Sequence, residues 1–121
     1  MMSGKVRARH ILLPVLFRFR ETPDTAIEFV VDTGFTGMLA LPPRAIAAMG
    51  LPFLHRVPAQ LADGSFVEVA VHSATLVWNG IELEARVIAT GDRPLLGTAL
   101  LDGSELLAQF QDEGLVTVAR L

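Results

Sequence analysis

The segment of this sequence best suited to chemistry is Asp32-Thr33-Gly34, reached directly from the apolar run Phe29-Val30-Val31. A carboxylate at the end of a buried strand costs free energy unless it is hydrogen-bonded or functional. Thr33 adds a hydroxyl beside it. Gly34 lets the backbone turn sharply and bring its N–H near the carboxylate. The simplest role for Asp32 is a local cap on a strand-to-loop turn, as Asp often provides. On the triplet alone that reading stands first, because Asp-Thr-Gly arises often by chance. The other role is acid–base work by the carboxylate.

The remaining reactive side chains suggest no rival centre. His10, His55 and His72 lie far apart and match no metal-ligand spacing. They read as surface or core residues. The chain has no cysteine, which excludes thiol catalysis and any cysteine-ligated zinc or iron–sulfur site. Its four serines lack a nucleophile-elbow context. No metal and no cofactor are expected.

The elements around Asp32 are mostly extended. Ile11, Leu13, Val15, Phe17 and Phe19 alternate with Leu12, Pro14, Leu16 and Arg18, which predicts a strand, or two joined at a bend near Pro14. Ala26 to Val31 turns continuously apolar, as a strand buried on both faces does. Pro42 and Pro43 open a short Ala-rich helix over Arg44 to Met49, and Gly50 closes it. Asp63-Gly64 and Asn79-Gly80 each stand between extended segments and predict hairpin turns, since these residues accept positive φ. Ile81 to Ala89 alternates, with Ile81, Leu83, Ala85 and Val87 on one face. Gly91-Asp92-Arg93-Pro94 reads as a turn with Asp92 and Arg93 exposed. Trp78, at a hairpin end, is a core or interface residue. Ser104 to Phe110 and Leu115 to Arg120 predict a last strand pair. The expectation is an all-β domain with one or two short helices.

Composition fits one such domain over residues 1–121. Hydrophobic residues are 51% and charged residues 19% of the chain, which excludes a disordered protein. The apolar share is high for a domain of this size and points to surface buried between subunits. Ten basic against 13 acidic side chains give a net charge of −3, so no polyanionic partner is implied. Lys5, Arg7, Arg9, Arg18 and Arg20 read as a solvated face rather than a nucleic-acid footprint. The run Ile11 to Phe17, broken by Pro14, is too short to span a membrane. Lys5, Arg7 and Arg9 imitate the charged end of a signal peptide, but no small-residue cleavage site follows. A cytoplasmic location, with no membrane partner, is expected.

Taken in order, the motifs resemble those of the retropepsin-like aspartic proteases, the single-domain relatives of retroviral proteases. Phe29 to Gly37 resembles the active-site segment. Leu61-Ala62-Asp63-Gly64-Ser65-Phe66 lies where that family has its flap, and Asn79-Gly80 where it has a second hairpin. Pro94-Leu95-Leu96-Gly97 matches its two-hydrophobics-then-glycine motif, with Thr98 to Leu101 as the following helix. Leu95-Leu96-Gly97 also echoes the strand-then-glycine pattern at Asp32, in keeping with the pseudo-repeat of that fold. The resemblance spans about Ile11 to Val118.

It implies a closed acid-protease β-barrel and a homodimer acting on peptide or protein substrates. Each subunit would contribute one Asp32 to a shared dyad. Asp32, Thr33 and Gly34 would form the catalytic loop, with Thr33 bracing the two loops across the axis and Gly34 orienting the carboxylate. Ala62, Asp63, Gly64 and Ser65 would close over an extended peptide. Phe35 departs from the pattern, which has a small residue there; the ring is expected beside the cleft or in the core. Two functions from different classes follow: a homodimeric aspartic endopeptidase, and a dimer of the same fold that binds peptides without cutting them. Phe35 favours the second and the intact triplet the first.

Overall fold

The computed structural model describes residues 1–121. Ten strands and two short helices follow in the order β1 (Met2–Arg7), β2 (His10–Arg18), β3 (Thr25–Val31), β4 (Leu39–Leu41), α1 (Pro43–Met49), β5 (Phe53–Gln60), β6 (Phe66–Trp78), β7 (Ile81–Ala89), β8 (Leu95–Leu96), α2 (Thr98–Leu101), β9 (Ser104–Ala108) and β10 (Gly114–Arg120). The chain is therefore mostly β, as expected.

All strands join one sheet in the order β5-β6-β7-β4-β8-β3-β2-β1-β10-β9, and β2 pairs in addition with β6. That extra pairing, with Leu16 opposite Val77, makes a ring of hydrogen-bonded strands from β6 round to β2. Most neighbours are antiparallel, but β3 runs parallel to β8 and β4 parallel to β7. The two parallel contacts flank the antiparallel pair of short strands β4 and β8, both of which follow the Asp32 loop in sequence.

Period-two alternation explains the core. Leu13, Val15 and Phe17 of β2 and Phe29 of β3 are fully buried. The β2–β3 register sets Leu13 opposite Phe29, and the Phe17 and Phe29 rings stack at 5.9 Å. Burying each such side chain contributes about 1.5–3 kcal/mol. Val87 and Ala85 of β7, Leu76 of β6 and Val116 and Val118 of β10 complete the interior.

Several details differ from the sequence expectations. Strand β2 runs unbroken through Pro14. Its pairing with β1 stops at Leu12 and its pairing with β6 starts at Leu16, so the missing Pro14 N–H falls where β2 has only β3 beside it. Residues 2–7, with their basic side chains, form a strand that pairs with β10 and β2, and only Val6 in it is buried. The predicted helix is present as α1, and Gly50 closes it with φ of 65°. Asn79 and Gly80 both take positive φ, 49° and 79°, in a two-residue turn between β6 and β7.

Candidate active site

Asp32 is the first residue beyond β3. Its approach is fixed by the parallel register with β8, in which Val30 lies beside Leu95 and Val31 beside Leu96. The Asp32 N–H extends this ladder by donating to the Leu96 carbonyl at 2.9 Å, and the Asp32 carbonyl accepts from the Phe35 N–H at 3.1 Å. The half-buried carboxylate accepts a hydrogen bond from the Gly34 N–H, 2.9 Å from Oδ1. A Cβ on Gly34 would lie 3.3 Å from that same oxygen. Glycine is favoured at this position by room beside the carboxylate. Thr33 is exposed.

The rest of the loop is laced to the start of α2. The Gly97 N–H donates to the Met38 carbonyl at 2.9 Å, and the Ala99 N–H to the Gly37 carbonyl at 3.2 Å. The Phe35 carbonyl accepts both the Thr98 N–H at 2.9 Å and the Thr98 hydroxyl at 3.4 Å. Backbone bonds on both sides of Asp32 thus fix the loop, and the Gly34 N–H orients the carboxylate on it. The Phe35 ring lies against two glycines: a Cβ on Gly37 would meet it at 2.6 Å and a Cβ on Gly97 at 2.7 Å. The ring fills a slot that exists because both positions lack a side chain.

Ala62, Asp63, Gly64 and Ser65 form the exposed turn of the β5–β6 hairpin. The Leu61 N–H donates to the Ser65 carbonyl at 2.7 Å and Gly64, with φ of 85°, donates to the Leu61 carbonyl at 2.9 Å. Asp63 Oδ1 accepts both the Ser65 N–H at 2.9 Å and the Ser65 hydroxyl at 2.5 Å. These bonds, the hydroxyl first, hold the Asp63 carboxyl below the usual carboxylate range. Glu84 and Glu113 are also lowered, Glu84 by the Thr75 and then the Ser73 hydroxyl and Glu113 by Arg7 and then Lys5.

The depression at Asp32 is walled by His10, Val30, Val31, Thr33, Arg93 and Leu95. Phe35 and the hairpin residues 62–65 do not line it. His10 and Arg93 are the residues that the sequence reading did not connect to Asp32. The β2 alternation could have found His10, since Leu12 faces Val30 and two steps further along the register reach His10 and Asp32. For Arg93 the signal is weaker, because its place depends on the turn before β8. No group of three or more His, Asp or Glu side chains converges in a way that could hold a metal ion. No helix is long and apolar enough to cross a membrane.

The fold that carries this aspartate loop is retropepsin-like. The chain is similar in structure to a retropepsin-like aspartic protease from Rickettsia conorii, with a TM-score of 0.64 and 20% sequence identity over all of this chain and 92% of that one. No protein-family model matches the sequence. No curated protein matches it either.

Proposed function

We propose that the chain is a homodimeric aspartic endopeptidase with one Asp32 from each subunit. The observation that carries this reading is the Asp32 carboxylate itself. It is half-buried, oriented by the Gly34 N–H and fixed on both sides by the backbone, in a chain that matches the fold of an aspartic protease along its whole length. In this reading the ring of strands closes as an acid-protease barrel.

One carboxylate alone has no proton-sharing partner, so the second comes from an identical subunit. Two carboxylates in contact cannot both ionise cheaply, and one retains a proton. The ionised Asp32 acts as general base on a water held between the pair, and the protonated one polarises the scissile carbonyl. The titration belongs to the pair. Thr33, exposed beside Asp32, braces the opposing loop in this reading. The β5–β6 hairpin covers an extended peptide, which binds by strand-like backbone hydrogen bonds. The packing of Phe35 on Gly37 and Gly97 supports an open cleft, because it directs the ring away from the depression at Asp32.

The test is hydrolysis of an extended-peptide library at mildly acidic pH by wild type and Asp32→Asn. Wild type is expected to cut, to be blocked by statine-type transition-state mimics and to be indifferent to chelators and thiol reagents. Asp32→Asn is expected to fold, dimerise and cut nothing. Equal hydrolysis by the two proteins would sink the reading. Binding without hydrolysis by wild type would favour the non-cleaving peptide binder.

A further inference from the structure

Two basic side chains from the strands flanking β3 stand at the Asp32 depression. His10 opens β2 on one side of β3, and Arg93 lies on the turn leading into β8 on the other. They meet across the mouth: Arg93 Nη1 lies 3.5 Å from His10 Nε2. A guanidinium carries only donors, so a hydrogen bond here has His10 Nε2 as its acceptor. Arg93 precedes Pro94, which restricts its backbone to extended conformations. The Val30 N–H donates to the Pro94 carbonyl at 3.0 Å, so the backbone beneath the guanidinium is tied to β3 itself.

Arg93 has no carboxylate of its own. The four ion pairs of the chain are made by Lys5, Arg7 and Arg18. Asp92, its exposed neighbour on the turn, is not paired with it. Half-buried Val30 and Leu95 give the depression apolar lining, in company with Thr33 and the Arg93 guanidinium. Apolar lining together with an unpaired guanidinium matches a side chain with a methylene stem and a carboxylate head. Arginine presents two parallel N–H donors that fit such a head.

We infer that the depression is a specificity pocket for an acidic side chain, glutamate above aspartate, on an extended peptide beside the bond offered to Asp32. His10 is a positioning residue that holds the guanidinium at the mouth until the carboxylate takes its place. Cleavage beside this side chain rests on the protease reading; acidic-peptide binding does not.

The test uses fluorescein-labelled extended peptides that differ only by Glu or Gln at one scanned position. Their binding to the Asp32→Asn protein is followed by anisotropy, and their hydrolysis by wild type is measured separately. At one position Glu is expected to bind about five-fold tighter than Gln, near the upper end for a solvent-accessible ion pair. The preference should shrink at high salt. Arg93→Gln should erase it, and Arg93→Lys should retain part of it. Equal binding of Glu and Gln peptides at every position overturns the inference. So does a preference that survives Arg93→Gln, or no binding by any peptide. Equal cleavage of Glu and Gln peptides by wild type would leave the protease reading standing and the acidic pocket refuted. A Glu preference in binding, with nothing cut by wild type, would do the reverse.

Discussion

Phe35 sits three residues from Asp32, and its neighbours explain why a bulky ring is tolerated there. Gly37 and Gly97 leave the slot that the ring fills, and a Cβ on Gly97 would also come within 2.2 Å of the Gly37 carbonyl oxygen. That oxygen is backbone and is held by Ala99, so it cannot swing aside. Gly97→Ala is therefore expected to cost about 3 kcal/mol, at the upper end for overpacking. Phe35→Ala empties a half-buried slot and is expected to cost about 2 kcal/mol. Denaturant unfolding of both variants checks this; a Phe35→Ala protein as stable as wild type would mean that the ring does not pack there. Asp32, Thr33 and Gly34 were legible in the sequence because the motif is contiguous. The place of Phe35 was not, since it depends on a glycine more than sixty residues away.

At the scale of elements, the β5–β6 hairpin joins the sheet only through β6, and both strands are exposed near the turn. Its turn is locked by Asp63, whose carboxyl is held low mainly by the Ser65 hydroxyl and then by the Ser65 N–H. A carboxylate whose folded value lies below its unfolded one contributes stability above the unfolded value and loses it as pH falls through the folded one. The lock therefore persists at the mildly acidic pH that suits a shared-proton dyad. The Ser65 amide resonance should titrate with a midpoint below that of an ordinary aspartate, and Ser65→Ala should move the Asp63 midpoint upward. An unchanged midpoint in Ser65→Ala would show that the hydroxyl does not hold the turn. Turn chemistry made this hairpin and the Asn79-Gly80 hairpin readable, and alternation gave β7 its bounds. Strand β1 was hidden by its basic residues. Strand β5 was hidden for a related reason: only Val57 and Ala59 are partly covered, so no buried face marks it. The parallel contacts of the short strands β4 and β8 are set by distant partners and carry no local signal.

At the scale of the whole molecule, the apolar excess of the sequence stays partly on the surface. Phe53, Leu54, Leu61, Phe66 and Val67 are exposed on the hairpin, and Leu107, Phe110 and Leu115 are exposed on and beside the edge strand β9. Strand β10 is paired on both sides, with β1 and with β9, so it has no free edge to offer a second copy. The two ends of the strand order, β9 and β5, offer free edges to a sheet shared between subunits. The proposed dyad makes a stronger prediction than sedimentation alone. If catalysis needs one Asp32 from each subunit, a mixed dimer of wild type and Asp32→Asn is inactive. Wild type and Asp32→Asn mixed in equal amounts and left to exchange subunits at random should then retain about one quarter of the activity of the same total protein as wild type, because only that share pairs wild type with wild type. Activity should follow the square of the wild-type fraction across the whole mixing series. Sedimentation of the same samples should show dimers throughout. A straight-line fall, with one half left at equal mixing, would mean that each subunit works with its own Asp32 alone. That result would overturn the shared dyad while leaving the fold as described.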